Sequence, residues 1–310
     1  MLNTPVLFLI FNRPVPAFQV FEQIRKIKPR HLYIAADGPR RHKTGEKELC
    51  EEARSVIRKV DWDCEVKTLF REENLGCGKA VSSAINWFFE HEEQGIILED
   101  DCLPDLSFFP FCEKLLQYYR LNEEVMHISG SNFQFGKVVG DGSYYFSKIA
   151  RIWGWATWRR AWQKVDFELN HLDAFLEKEK NISQYWKDNL INTRNHKIDT
   201  WDFQWIYTIW LLNGKSITPN VNLVRNIGYN EDATHTVKAH WWESKIVYGS
   251  IPQIIHPSDV RVNEEADVFL DKIISNIPLT FTERIFMRID RIKYRLLNKK
   301  RYTTTDKGLM

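Results

Sequence analysis

Three consecutive acids, Glu99-Asp100-Asp101, stand at the end of the apolar run Gly95-Ile96-Ile97-Leu98, and Pro104 follows shortly after. Adjacent carboxylates repel one another. A hard divalent cation with oxygen ligands, its shell completed by phosphates, offsets that repulsion. The competing reading is a solvated acidic turn in a chain that is 27% charged. A second candidate is Asn74-Leu75-Gly76-Cys77-Gly78-Lys79. Its two glycines let a backbone approach a nucleotide and Lys79 can neutralise phosphate, although the spacing is neither that of a Rossmann fingerprint nor that of a P-loop. Asp37-Gly38-Pro39 closes another apolar run and reads as a tight turn.

These groups need a scaffold that gathers them. Val6 to Phe11, His31 to Ala36, Cys64 to Phe70 and Gly95 to Leu98 read as strands. Between them lie helical segments at 15–28, 45–59 and 80–89, the turn at 74–79 leading into the last. The order β-α-β-α-β-α-β implies an α/β fold with a doubly wound, parallel sheet. Its strands reach polar ends at Arg13, Asp37, Arg71 and Glu99, and open α/β sheets place ligands at those carboxyl ends. Further on, the pattern gives a helix near 106–120, a strand at 125–130, a polar helical stretch over about 170–196 and a short strand at 219–224.

The chain has 310 residues, 44% hydrophobic and 14% aromatic, which suits a substantial core and argues against disorder. A net charge of +2 disfavours nucleic acid as a partner. The tryptophans concentrate around 153–162 and 201–210, either as core or as the lining of a sugar cleft. Cys50, Cys64, Cys77, Cys102 and Cys112 lack metal-ligand spacing and read as free thiols of a reducing compartment. The apolar N-terminal patch is broken by Asn12-Arg13-Pro14 and reads as a strand and not a signal peptide. No run approaches the ~20 apolar residues of a membrane-spanning helix. The expected location is therefore the cytoplasm.

With Asp37, the acid triplet and the glycine turn together, the chain resembles a GT-A-fold glycosyltransferase over residues 5–236. It is most similar to the N-acetylglucosaminyltransferase I family and its bacterial relatives, whose signature after an apolar strand is also Glu-Asp-Asp. The resemblance implies the nucleotide-diphospho-sugar transferase fold, with a mixed, mostly parallel sheet. It implies that Asp101 binds Mn²⁺ or Mg²⁺, which bridges the donor diphosphate, while Glu99 and Asp100 face the donor sugar and ribose. Asp37 then meets the nucleoside base, with Arg13 in the same pocket beside Gly78 and Lys79. The family's Trp-Asp-Asp-Trp segment corresponds to Trp201-Asp202-Phe203-Gln204-Trp205, one residue longer here. That match makes Asp202 the base that deprotonates the acceptor hydroxyl, with an aromatic wall to exclude water. The bland alternative is a helix N-terminal acid at Asp199 or Asp202. Arg151-Ile152-Trp153-Gly154-Trp155 matches the stretch that shapes the donor-sugar and acceptor pocket, bringing in Trp153 and Gly154. The late loop 226–236 would fold over the diphosphate, with His235 contacting a phosphate oxygen or the metal.

The expected organisation is a catalytic domain over 1–240, with a nucleotide-binding half 1–104 and an acceptor half 105–240, then an extension over 241–310. Thr280 to Glu283 is a capping-box pattern opening a basic amphipathic helix at about 281–301. Such a helix either lies on an anionic membrane surface, here the inner face of the plasma membrane, or packs on the body. The function expected from the resemblance is inverting, metal-dependent sugar transfer from a nucleotide-diphosphate donor to a glycan or glycolipid hydroxyl. UDP-GlcNAc is the leading donor, and surface polysaccharide or lipopolysaccharide synthesis the setting. The alternatives are a sugar-1-phosphate nucleotidyltransferase and a non-catalytic glycan-binding protein.

Overall fold

In a computed structural model, residues 1–228 and 242–277 are described, with 279, 280, 282, 283, 285, 289, 303 and 304 beyond them. The first half alternates strand and helix: β1 (Val6–Ile10), α1 (Pro14–Ile27), β2 (His31–Ala36), α2 (Glu46–Arg54), β3 (Glu65–Phe70), α3 (Cys77–His91), β4 (Gln94–Glu99) and a short β5 (Cys102–Pro104). The second half runs α4 (Phe108–Tyr118), β6 (Val125–Ser129), β7 (Tyr144–Ser147), β8 (Trp155–Trp158), α5 (Arg159–Trp162), α6 (Leu172–Lys178), α7 (Gln184–Arg194), α8 (Asp202–Leu211), β9 (Lys215–Pro219), β10 (Val224–Asn226) and α9 (Glu264–Ile274).

One eight-stranded sheet runs through both halves in the order β3-β2-β1-β4-β8-β6-β9-β7. The first four strands are mutually parallel, whereas β8 enters antiparallel between β4 and β6, and β7 is antiparallel to β9. The sheet is therefore mixed and mostly parallel. Alternate residues of β1 fall in two separate cores: Val6, Phe8 and Ile10 pack with α1 and α4, and Leu7 and Leu9 pack with α3 and α8. Both faces are covered, which explains why the parallel strands read as unbroken apolar runs.

Four local expectations change. The glycine turn at 74–79 is shorter, because Cys77, Gly78 and Lys79 are already the first turn of α3. The segment 45–59 is an α-helix only to Arg54 and tightens into a 3₁₀ turn over Ser55–Lys59. The stretch 170–196 is two helices, α6 and α7, parted at 179–183. The strand expected at 219–224 is instead the end of β9 and the start of β10. Between them Asn220 and Asn222 are buried and bond backbone groups at Val139, Gly142 and Asn132, so the chain turns there instead of extending.

The cysteines are all free thiols. Among the described residues no helix is long and apolar enough to cross a membrane. Thr280 and Glu283 form the reciprocal capping box, the Glu283 N–H donating to Oγ1 of Thr280 and the Thr280 N–H to Oε2 of Glu283. The helix expected over 281–301 lies almost wholly outside the described residues.

Candidate active site

The carboxyl ends of β1, β2, β3 and β4 open into one cavity of about 770 Å³, whose lining includes Arg13, Asp37, Arg71 and the acid triplet. Arg13 follows β1 immediately, because Pro14 starts α1 after a turn of only Phe11, Asn12 and Arg13. Its guanidinium pairs with Asp100, and its Nη1 stands 3.0 Å from Oδ2 of Asp101. Asp100 also accepts the backbone N–H of Phe11 at 3.2 Å and is 3% exposed. Burial works against the Arg13 charge, and Asp100 and Asp101 more than offset it. Burial also pushes the Asp100 carboxyl up, to about 6, with Arg13 opposing and Asp101 adding to the rise.

The Glu99 carboxylate makes no hydrogen bond or ion pair among the described residues. Burial, then the charges of Asp101 and Asp100, push it up to about 8; Arg13 opposes the rise and Asp202 adds to it. Four carboxylates thus act on one another in a cavity where Arg13 is the cation that answers them. Such crowding is relieved either by a proton held on Glu99 or by a further cation beside the triplet.

Asp37 is held differently. Its carboxylate accepts the N–H groups of Gly38 (2.9 Å) and Leu75 (2.9 Å) and the side-chain amide of Asn74 (2.8 Å). It therefore clips the end of β2 to the loop before α3, while one side still lines the cavity. Burial raises its pKa against the pull of those N–H groups.

The N-terminus of α3 is capped from far along the chain. Asp199 accepts the N–H of Cys77 at 2.8 Å and of Gly78 at 2.9 Å. A Cβ on Gly78 would stand 2.8 Å from both Oδ1 of Asp199 and the Thr200 carbonyl, so the glycine makes room for this approach. Gly78 lies just outside the cavity lining, and Lys79 is exposed outside it. The backbone N–H groups of Cys77 and Gly78, in the turn expected to approach a nucleotide, are occupied by this carboxylate.

Asp202 is the first residue of α8, on the cavity wall, with a negative charge suited to a helix N-terminus. Its Oδ1 accepts the Thr200 hydroxyl and the Phe203 N–H. Trp201 is buried against Trp155, rings stacked 5.4 Å apart, and shows an edge to the cavity. Trp153 also lines it, packed on Phe133 and Trp242. Gly154 lies outside the lining and has a steric task. Its φ is +59°, and a Cβ there would meet Val224 Cγ2 at 2.7 Å. His235 and most of the loop 226–236 lie outside the described residues, although Asn226 and Gly228 line the cavity.

β5 pairs antiparallel with β10, and the Ile227 N–H donates to the Asp101 carbonyl at 2.8 Å. Ile227 and Gly228 therefore lie beside the acid triplet. A Cβ on Gly228 would lie 2.3 Å from Oδ2 of Asp101.

The residues fit a divalent cation bound together with a ligand. Among the described residues Oδ1 of Asp101 receives only the thiol of Cys102, at 3.5 Å, which leaves a hard oxygen donor. Among the described residues no group of three His, Cys, Asp or Glu side chains is arranged to hold an ion unaided. Ligand oxygens would have to complete the shell.

Several lining residues carried no sequence signal. Tyr185 and Asn189 project from α7, and Arg40 from the loop after β2. The i, i+4 spacing of Tyr185 and Asn189 places both on one helix face, which a correct start for α7 would have shown.

No protein-family model matches the chain, and no curated protein matches its sequence. Among solved structures the chain is similar to HddC from Yersinia pseudotuberculosis, at 12% identity over 51% of this chain and 77% of that one (TM-score 0.33). It is similar to an apo UDP-glucose pyrophosphorylase at 10% identity over 70% and 90% of the two chains (TM-score 0.36). It is also similar to the glycosyltransferase GlyE of Streptococcus pneumoniae, at 13% identity over 68% of this chain and 43% of that one (TM-score 0.32).

Proposed function

We propose that this chain is a nucleotide-sugar-dependent glycosyltransferase of the GT-A type, with UDP-GlcNAc the leading donor and a glycan or glycolipid hydroxyl the acceptor. The observation that carries the reading is the meeting of Glu99, Asp100 and Asp101 with Asp202 on one cavity at the carboxyl ends of parallel strands. The nucleotide occupies the β1–β3 side, with Asp37, Arg13 and Arg71 around it. Asp101 would hold Mn²⁺ or Mg²⁺ together with the donor diphosphate, and that cation would supply electrostatic stabilisation of the charge gathering on the leaving diphosphate.

The residues of the chain divide the remaining work. Asp202 accepts the proton of the acceptor hydroxyl as its oxygen bonds the anomeric carbon. The bond from that carbon to the diphosphate breaks, and the electron pair leaves with the diphosphate. The Thr200 hydroxyl fixes the orientation of the Asp202 carboxylate. Trp201 and Trp153 exclude water from that side.

The β1–α1 turn supports transfer over nucleotidyl transfer. A triphosphate at that point calls for a row of free backbone N–H groups. Here the Phe11 N–H is bonded to Asp100, and Pro14 and Pro16 have none. A purely glycan-binding role is disfavoured because Trp155, Trp162, Trp201 and Trp205 are spent in the core.

The test is a thermal-shift panel of nucleotide sugars with and without Mn²⁺, followed by product analysis. UDP-sugars with Mn²⁺ should stabilise the protein, and Asp202→Asn should bind donor yet lose transfer. Release of pyrophosphate from a nucleoside triphosphate, or indifference to every nucleotide sugar, would overturn the reading.

A further inference from the structure

We propose that the face of α7 carrying Tyr185 and Asn189 is the acceptor subsite and that it takes an uncharged pyranose unit. This rests on the transferase reading and narrows the substrate class at the same cavity. Tyr185 and Asn189 stand four residues apart on α7, and both line the cavity. The Tyr185 ring is fixed by Trp186, centroids 5.2 Å apart at 81°, and by Phe203 at 6.4 Å. Its hydroxyl makes no hydrogen bond among the described residues, although burial and the Asp202 charge hold the proton on it, against the opposing charge of Arg151. Asn189 spends one amide hydrogen on the Tyr185 carbonyl at 2.8 Å, and its own carbonyl oxygen has no donor among the described residues. A neutral hydroxyl donor and a neutral amide acceptor are thus presented on the wall that carries the candidate base.

Charge decides the class of ligand. The arginines lining the cavity, Arg13, Arg40 and Arg71, all follow β1, β2 or β3. The wall built from α7 and the start of α8 brings no cation among the described lining residues, and it carries Asp199 and Asp202. A phosphate- or carboxylate-bearing acceptor would meet two carboxylates there, whereas the arginine whose charge reaches Tyr185, Arg151, stays outside the cavity lining with its guanidinium over the Phe133 ring. A neutral sugar ring suits the same wall. Its C–H face packs on aromatic edges, and its hydroxyls pair with Tyr185 and Asn189.

The experiment uses the full chain and tryptophan fluorescence, with the rings of Trp201 and Trp153 at the cavity as reporters. The probes are methyl β-glycosides of glucose, galactose and N-acetylglucosamine, set against glucose 1-phosphate and glucose 6-phosphate, each with and without UDP and Mn²⁺. At least one uncharged glycoside should bind wild type more tightly than either sugar phosphate. Tyr185→Phe and Asn189→Ala should each weaken it about tenfold, the loss of one buried hydrogen bond. Both variants should keep the wild-type UDP–Mn²⁺ thermal shift and melting temperature.

Tighter binding of a sugar phosphate overturns the inference, as does unchanged glycoside binding in both variants, or no glycoside binding to a protein that binds UDP. Glycoside binding that depends on Tyr185 and Asn189, without any nucleotide response, would leave the subsite standing and sink the transferase reading instead.

Discussion

Replacing Asp199 by alanine separates a structural acid from a chemical one. Asp199 accepts two N–H groups at the start of α3, at 2.8 and 2.9 Å, from a position exposed at the cavity rim. Loss of an Asp N-cap costs about 0.5–2 kcal/mol. The interaction of the carboxylate with the helix dipole adds about 0.3–1 kcal/mol, screened at an exposed site. A total of ~1–2 kcal/mol is expected, which for a chain of this size lowers the melting temperature by a few degrees. Asp199→Asn keeps one acceptor oxygen and loses the charge, so it should fall between alanine and wild type.

A double-mutant cycle with Gly78→Ala sharpens the test. A Cβ at Gly78 presses on both Asp199 and the Thr200 carbonyl. Removing Asp199 relieves only one of those contacts, so the two substitutions should couple without full rescue. The assays are urea and thermal melts beside donor-hydrolysis and transfer rates. A melting temperature unchanged in Asp199→Ala would refute the cap. Transfer lost as completely as in Asp202→Asn, with stability intact, would make Asp199 the base and refute the assignment of Asp202.

Other outcomes follow from single features. Asp202→Asn should cut transfer about a hundredfold to ten-thousandfold, with the UDP–Mn²⁺ thermal shift retained, measured by coupled detection of UDP. Gly154→Ala should lose ~1–3 kcal/mol in urea melts, since its φ is +59° and the new Cβ meets Val224 at 2.7 Å. Asp267 on α9 accepts the Lys148 N–H, and burial pushes its carboxyl from 3.8 up to about 6. The folded state then holds a proton that the unfolded chain has released, so stability should fall as pH rises between those values and level off above. Asp267→Asn should remove that slope and melt later than wild type at pH 7, by ~1 kcal/mol after solvent relaxation. Arg13→Met should leave Asp100 buried beside Asp101 without its counter-charge, lowering stability by ~3 kcal/mol, read by thermal melting.

The strands that build the nucleotide side were legible because burial on both faces leaves an apolar run with an abrupt polar end, as at Ala36-Asp37 and Leu98-Glu99. β8 was not. Trp155-Ala156-Thr157-Trp158 is short, buried throughout and enclosed by aromatic neighbours, so it shows no alternation. The start of α3 is not legible locally because its cap is supplied by Asp199, more than a hundred residues along the chain. No proline or glycine marks the break between α6 and α7, so 170–196 read as one helix. At the site, residue types were readable while partnerships were not. That Asp100 ties itself to Arg13 and Phe11, or that Asp37 grips the loop at Leu75, depends on loops meeting in space.

The place of β8 has a consequence for synthesis from the ribosome. β4 finds its second neighbour only in Trp155–Trp158, so when Gln94 to Ile97 have been made, the partner for one side of that strand has not yet been translated. A nascent chain carries an open, apolar edge through the making of the next fifty or so residues, the kind of edge that recruits other strands. The cap on α3 arrives later still. Truncation after the acid triplet should therefore yield a sticky fragment and not a small nucleotide-binding protein, and a nascent-chain holdase has its natural window between the emergence of β4 and that of β8.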